Sequence, residues 1–183
     1  MKVVILAGGL GTRLSEYTKK IPKPMVKIKK VPIIVHIIKH YKKFGLKDFY
    51  IAAGYKKEII KRYFKKNGMR VNINVIDTGQ KTMTGGRLKR LKKYLNKERF
   101  FLTYGDGLSN INIKSLVNFH LKHKKMITVT AVRPPARFGN IIMKYNKVIN
   151  FKEKTQMSTG WINGGFFVIN SNFFKYLKND KTI

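Results

Sequence analysis

Three features of the sequence predict an α/β fold, a Rossmann-like mixed sheet flanked by helices. The β-branched run Val3-Val4-Ile5-Leu6 breaks at once into Ala7-Gly8-Gly9-Leu10-Gly11, the pattern of a buried parallel strand meeting a tight turn. Strand and helix patterns then alternate as βαβαβ, the first half of a doubly wound sheet. A later apolar run ends in Tyr104-Gly105-Asp106-Gly107. This puts a carboxylate at a strand's C-terminal end, where open α/β sheets bind ligands.

In chain order, Ile28 to Ile38 reads as a helix with Pro32 at its start and an apolar stripe of Ile33, Ile34, Ile37, Ile38 and Tyr41. Gly45 is its expected C-cap. Asp48–Ala53 is the second strand, Lys57–Phe64 the second helix and Val71–Ile76 the third strand. Thr82 to Arg87 reads as a small-residue loop before a helix over Leu88–Leu95. Arg99–Tyr104 is a strand, Ile113–Lys122 a helix and Met126–Val132 a strand. Phe138–Met143, Lys147–Glu153 and Trp161–Ile169 read as a more antiparallel section, and Ser171–Leu177 begins a final helix. The four histidines (His36, His40, His120, His123) are expected as surface or packing residues, and Tyr17 and Trp161 as packing residues.

Composition excludes several classes. The 183 residues contain no cysteine, so neither a disulfide framework nor a thiolate metal site is available. No secretory leader pattern is present and no apolar run approaches the ~20 residues of a membrane span. A soluble, cytoplasmic protein is expected, without membrane insertion. The formal charge is +32, from 40 Lys+Arg against 8 Asp+Glu. Its lysines are scattered rather than gathered on one face and no nucleic-acid motif accompanies them. The charge therefore reads as compositional bias, with non-specific sticking to polyanions expected at low salt.

The glycine turn carries the first chemistry. Glycines there let bare N–H groups approach an anion. Thr12 adds a hydroxyl and Arg13 a guanidinium fork suited to phosphate oxygens. Pro22-Lys23-Pro24 follows, with Lys23 expected in an extended loop because Pro24 disfavours helix before it. Asp106 suits Mg²⁺ shared with triphosphate oxygens, or is a turn aspartate. Arg87 opposes the dipole of the helix it opens, which makes sense against an anionic ligand; an ordinary solvated arginine is the alternative. Glu153 and Lys154 are suited to sugar hydroxyls and a sugar phosphate, or form a strand-edge charge pair.

Taken together, LAGGLGTRLSE, PKPMV, AAGYK, DTG, MTGGRLKR, TYGDG, RFG, FKEK and INGGFFV resemble the sugar-nucleotide pyrophosphorylases, the nucleoside-triphosphate:sugar-1-phosphate nucleotidyltransferases. MTGGRLKR beside TYGDG points to the branch that transfers a cytidylyl group from CTP to glucose 1-phosphate, for deoxysugar or cell-surface polysaccharide synthesis. The resemblance implies one domain of the nucleotide-diphospho-sugar transferase type, with a nucleotide-binding half over 1–110 and a sugar-phosphate half over 111–183. It implies nucleotide contacts from Leu6, Ala7, Gly8, Gly9, Gly11, Thr12, Arg13, Lys23, Thr82, Gly85, Arg87 and Gly105. Arg13 and Lys23 would be catalytic, Asp106 would hold Mg²⁺, and Gly139, Glu153, Lys154 and Asn163 would hold the sugar phosphate. The resemblance also implies a homo-oligomer, but the family's longer insertion between the second helix and the DTG strand is missing, since Phe64 to Val71 crosses that gap directly, which argues against family-type oligomer contacts. The family's usual EKP reads Glu153-Lys154-Thr155 here, and its second metal-binding aspartate has no counterpart in these 183 residues. A nucleotide-binding module without turnover, and transfer with another base or sugar, are the alternative readings.

Overall fold

The opening apolar run forms the central strand β1 (Lys2–Ala7), in which Val3, Val4 and Ile5 are fully buried. β4 (Asp48–Ala53) and β6 (Phe100–Tyr104) flank it, both parallel, with Ile5 opposite Ile51 on one side and Thr103 on the other. β5 (Asn72–Asp77) continues the sheet beyond β4, and β10 (Ile162–Ile169) pairs antiparallel with β6. With β7 (Ile127–Val132) the order is β5-β4-β1-β6-β10-β7. The chain leaves β1 toward β4 and β5, then returns to β6 on the other side. The order thus reverses at β1, and a crevice opens beyond the C-terminal ends of β1 and β6. This computed structural model describes residues 1–12, 15–95, 98–134, 140–152 and 160–182.

The period of two along β1 sorts its side chains into two layers. Val3 and Ile5 face α2 (Ile33–Lys43), α3 (Lys57–Lys66) and α6 (Ile113–His123), packing with Ile34, Ile38, Tyr41, Ile60 and Leu116. Val4 faces the other layer, with Leu88, Leu91, Leu95 and Phe174. There α4 (Thr84–Arg90) and α5 (Lys92–Leu95) pack beside a 3₁₀ turn at Ser171–Tyr176, where a longer helix was expected.

Contacts divide the chain into two compact units, Met1–Thr128 with Gly165–Ile183, and Val129–Gly164. The second contains the antiparallel hairpin of β8 (Asn140–Lys144) and β9 (Lys147–Lys152), bulged at Ile142/Met143. Trp161 belongs to it and is 65% exposed beneath the Arg133 guanidinium, so it is not the packing residue expected. Tyr17 is likewise exposed.

Two other expectations need correction. Ile28 to Pro32 is not helical. β2 (Lys27–Ile28) and β3 (Val31–Pro32) form a tight hairpin, and α2 begins only at Ile33. The turn residues Lys29 and Lys30 have φ of 47° and 68°, the left-handed pair that a two-residue hairpin demands. Asn-Gly would have announced it; two lysines do not. Lys23 is not extended but opens a 3₁₀ turn, Lys23–Met25, with Met25 N donating to Pro22 O at 2.8 Å. The extended residue is Pro22 (ψ 147°). Pro24 lies in the first turn, where its missing N–H would have had no partner.

A closed ring of hydrogen bonds fastens α6 to the sheet. Lys125 N donates to His123 Nδ1 (2.9 Å), which leaves His123 Nε2–H to donate to Thr128 Oγ1 (2.6 Å). Thr128 then donates to His120 Nδ1 (2.7 Å), His120 Nε2–H to Asn170 Oδ1 (3.1 Å) and Asn170 Nδ2 to Lys125 O (3.0 Å). The tautomers are assigned from these partners. His120 and Thr128 are 2% and 4% exposed, so a missing member leaves buried groups unpaired. Asn170→Ala is expected to lower unfolding stability by about 1–2 kcal/mol, measured as a shift in urea midpoint at unchanged m-value.

Candidate active site

The crevice at the β1–β6 switch point is a cavity of about 420 Å³ lined by both strand ends. Leu6, Ala7, Gly8, Gly9, Gly11 and Thr12 form one wall, with Lys23 and Pro24 beside them. Tyr104, Gly105 and Asp106 close the β6 side, and Thr82, Met83, Thr84 and Arg87 come from the start of α4.

Close backbone packing brings the two strand ends together. Gly105 N donates to Leu6 O at 2.8 Å. A Cβ on Gly105 would stand 2.7 Å from that oxygen and 2.9 Å from Pro24 Cγ, so no larger residue fits. Gly11 has φ +69°, the left-handed region that glycine enters without cost, and its carbonyl accepts from Thr18 Oγ1 at 3.0 Å. The Lys23 ammonium then meets the Asp106 carboxylate at 2.5 Å, with the two side chains 26% and 35% exposed. The acid and the glycine turn therefore share one cavity, as the sequence reading requires.

Arg87 is not the solvated arginine of the alternative reading: it lines the cavity, but as a buried group. It is 6% exposed and its guanidinium is held from several sides. Nη1 donates to Thr78 Oγ1 (2.8 Å) and Gly79 O (2.6 Å), and Nη2 to Gly8 O (2.9 Å) and Gln80 O (3.2 Å). Burial pushes the guanidinium below its usual range, with Arg90 nearby acting the same way and Asp77 opposing. Arg87 thus ties the glycine turn after β1 to the loop after β5. That loop is pinned again at Asp77, whose carboxylate accepts from Lys57 and from Gly79 N (2.9 Å). These two bonds, Lys57 first, hold the Asp77 carboxyl below its usual range.

Thr82 is buried at the cavity wall. Gly85 does not line it. Thr84 to Arg90 are helical rather than a loop, and Gly85 packs against Thr182, whose Cγ2 lies 2.8 Å from where a Cβ would stand. Asn163 is exposed on β10 in the second unit. Arg13, Gly139, Glu153 and Lys154, expected at the site, lie outside the described residues, as do Phe138 and Thr155.

Asp106 suits a hard cation. It offers oxygen donors at the rim of a cavity whose glycine turn suits phosphate oxygens, and Mg²⁺ takes few protein carboxylates. Among the described residues no group of three His, Cys, Asp or Glu side chains could hold a metal alone. Any cation here would draw most of its ligands from the bound anion and from water.

A mixed sheet whose parallel strands reverse order at a glycine turn, with a lysine–aspartate pair across the crevice, defines a ligand-binding α/β protein of the doubly wound class. The chain belongs to the nucleotidyl transferase family, whose profile matches residues 2–182, and it is a nucleotidyltransferase. It is 45% identical over 205 aligned residues to a glucose-1-phosphate cytidylyltransferase of Salmonella typhimurium, covering all of this chain and 80% of that protein. It is 32% identical to a D-glycero-alpha-D-manno-heptose 1-phosphate guanylyltransferase of Aneurinibacillus thermoaerophilus, covering 96% of this chain and 77% of that one. Among solved structures, HddC from Yersinia pseudotuberculosis, complexed with GMP-PN, superposes with a TM-score of 0.78 at 25% identity, covering 99% of this chain and 81% of that one. The Rossmann-like fold class follows from sheet order and from these neighbours alike. No helix among the described residues is long and apolar enough to cross a membrane.

Proposed function

We propose that the chain transfers a cytidylyl group from CTP to glucose 1-phosphate, releasing CDP-glucose and pyrophosphate. One observation carries this reading: the glycine turn, Lys23 and Asp106 line a single cavity. The base and the sugar come from the 45% identical relative.

A phosphate oxygen of the sugar phosphate attacks the α-phosphorus of the triphosphate in line. The bond from that phosphorus to the oxygen bridging the β-phosphate breaks, and pyrophosphate leaves with the electron pair. The chain supplies position and charge rather than a covalent intermediate. The turn from Gly8 to Thr12 would hold the triphosphate, and Lys23 would neutralise the departing pyrophosphate. Asp106 would hold Mg²⁺, which when bound supplies further neutralisation of triphosphate charge. Arg13 would assist at the phosphates, and Gly139, Glu153, Lys154 and Asn163 would hold the sugar phosphate. The product would serve deoxysugar or cell-surface polysaccharide synthesis in the cytoplasm.

The test is release of pyrophosphate from CTP with glucose 1-phosphate and Mg²⁺, beside binding of CTP alone. Binding with release is expected. Binding without release would select a nucleotide-binding module, and faster release with GTP or another sugar phosphate would reassign the substrates. The guanylyltransferase relative makes GTP the first competitor to run.

A further inference from the structure

Helix α4 begins badly by its own sequence. Its N-cap is Met83, which makes no side-chain cap, and its first turn carries Gly85 and Gly86. Each glycine disfavours a helix interior by about 1 kcal/mol relative to alanine. The segment Lys178–Thr182 accounts for both features. Met83 N donates to Asp180 O (2.8 Å) and Gly86 N to Thr182 O (3.2 Å), so this segment takes first-turn N–H groups that the helix itself cannot satisfy. A Cβ on Gly86 would stand 2.5 Å from Asp180 O, and one on Gly85 would meet Thr182. The glycines are where another backbone must pass.

Charge fastens the same segment. Arg90 donates from Nε and Nη2 to the two oxygens of Asp180, at 3.0 and 2.5 Å, and Lys89 Nζ donates to Lys178 O at 2.5 Å. The segment is braced internally, with Asn179 N donating to Thr182 Oγ1 (3.2 Å) and Lys181 N to Asn179 Oδ1 (2.9 Å). What it holds is the wall of the cavity. Thr82, Met83 and Thr84 line it, and Arg87, one turn on, carries the hydrogen bond to Gly8 O. Arg90 also reaches the loop after β5, with Nη1 2.9 Å from where a Gly79 Cβ would stand.

We propose that Lys178–Thr182 is a strap that sets the position of the nucleotide-facing wall, with Asp180 a positioning residue for triphosphate binding. The proposal rests on the nucleotidyltransferase reading above. Asp180 acts through Met83, whose N–H its carbonyl holds, and through Arg90, which its carboxylate holds.

The experiment compares wild type, Asp180→Ala, Gly86→Ala and the charge exchange Arg90→Asp with Asp180→Arg. Direct CTP binding, KM for CTP, kcat and thermal midpoint are measured for each. Asp180→Ala is expected to raise Kd and KM for CTP about 5- to 20-fold with kcat within about threefold. Its ion pair is surface-exposed, so the midpoint should move little. Gly86→Ala should raise KM in the same way, although alanine is the better helix former. The charge exchange should recover most of the lost affinity. Amide exchange at Met83 and Gly86, read without nucleotide, should quicken in the two single variants. Quickened exchange with unchanged CTP affinity would overturn the proposal while leaving the transferase reading intact. A lowered midpoint with unchanged KM would do the same, reducing the strap to a stabilising contact. If wild type bound no triphosphate, the functional reading would fail and the strap's role in binding with it.

Discussion

Lys23→Ala is expected to lower kcat about 10²- to 10³-fold, the usual cost of removing one charge-stabilising donor from a transferring group. The fold should survive. Lys23 is part of a 3₁₀ turn held by backbone bonds, Met25 N to Pro22 O and Val26 N to Lys23 O, which alanine retains. Its ion pair with Asp106 joins side chains 26% and 35% exposed. Pairs in such partly solvated settings contribute about 0–1 kcal/mol, so circular dichroism and the urea midpoint should match wild type closely. Steady-state pyrophosphate release beside CTP binding reads the loss. Lys23→Arg should rescue poorly, because a planar fork does not replace a compact ammonium. A Lys23→Ala protein that is folded and turns over at the wild-type rate would remove Lys23 from the chemistry.

The parts of this molecule that depend on local pattern were legible in the sequence. The β1 run is apolar on both faces because it is buried on both, and the layers of Val3 and Val4 follow from the pleat. The glycine turn and Asp106 are readable because each ends an apolar run, and the switch point puts such ends together. Where the sequence misled, the deciding contact comes from far along the chain. Gly85-Gly86 looks like a loop to any local window, and becomes helix because Asp180 and Thr182 lie against it. Arg87 looks like a cation facing an anionic ligand or solvent, and is buried because four acceptors from two separate loops converge on it. Asp180 was missed altogether. Its one sequence signal is scarcity, since the chain has only 8 acids and each has many cations to choose among. The Lys29-Lys30 hairpin shows the remaining kind of miss, a turn whose backbone is imposed by its flanking strands against residue preference.

Gly8→Ala should be among the most damaging single changes in the chain, and for a reason that a second mutation can expose. Gly8 is not in the left-handed region, so alanine meets no backbone strain there. The obstacle is Arg87: a Cβ at Gly8 would stand 2.0 Å from Nη1 and 2.2 Å from Cζ. The guanidinium cannot step aside without giving up its bonds to Gly8 O, Thr78 Oγ1, Gly79 O and Gln80 O. Hydrogen bonds from a charged donor contribute about 1.5–3 kcal/mol each, and not additively. Gly8→Ala and Arg87→Ala are therefore each expected to cost about 2–4 kcal/mol of unfolding stability and most CTP affinity. Together they should cost little more than Arg87→Ala alone, because the space the new methyl needs has been vacated. The coupling in urea unfolding should be about 2 kcal/mol or more. Gly54 supplies the control. Its Cβ would also meet Arg87 Nη1, at 2.7 Å, but stands 2.5 Å from Gly79 O and 2.9 Å from Gly8 O as well. Those carbonyls remain when Arg87 is gone, so Gly54→Ala should stay costly in the Arg87→Ala background. Equal relief at Gly8 and Gly54 would mean that the loops spread apart once the arginine is lost, and that the clamp is not what requires glycine at position 8.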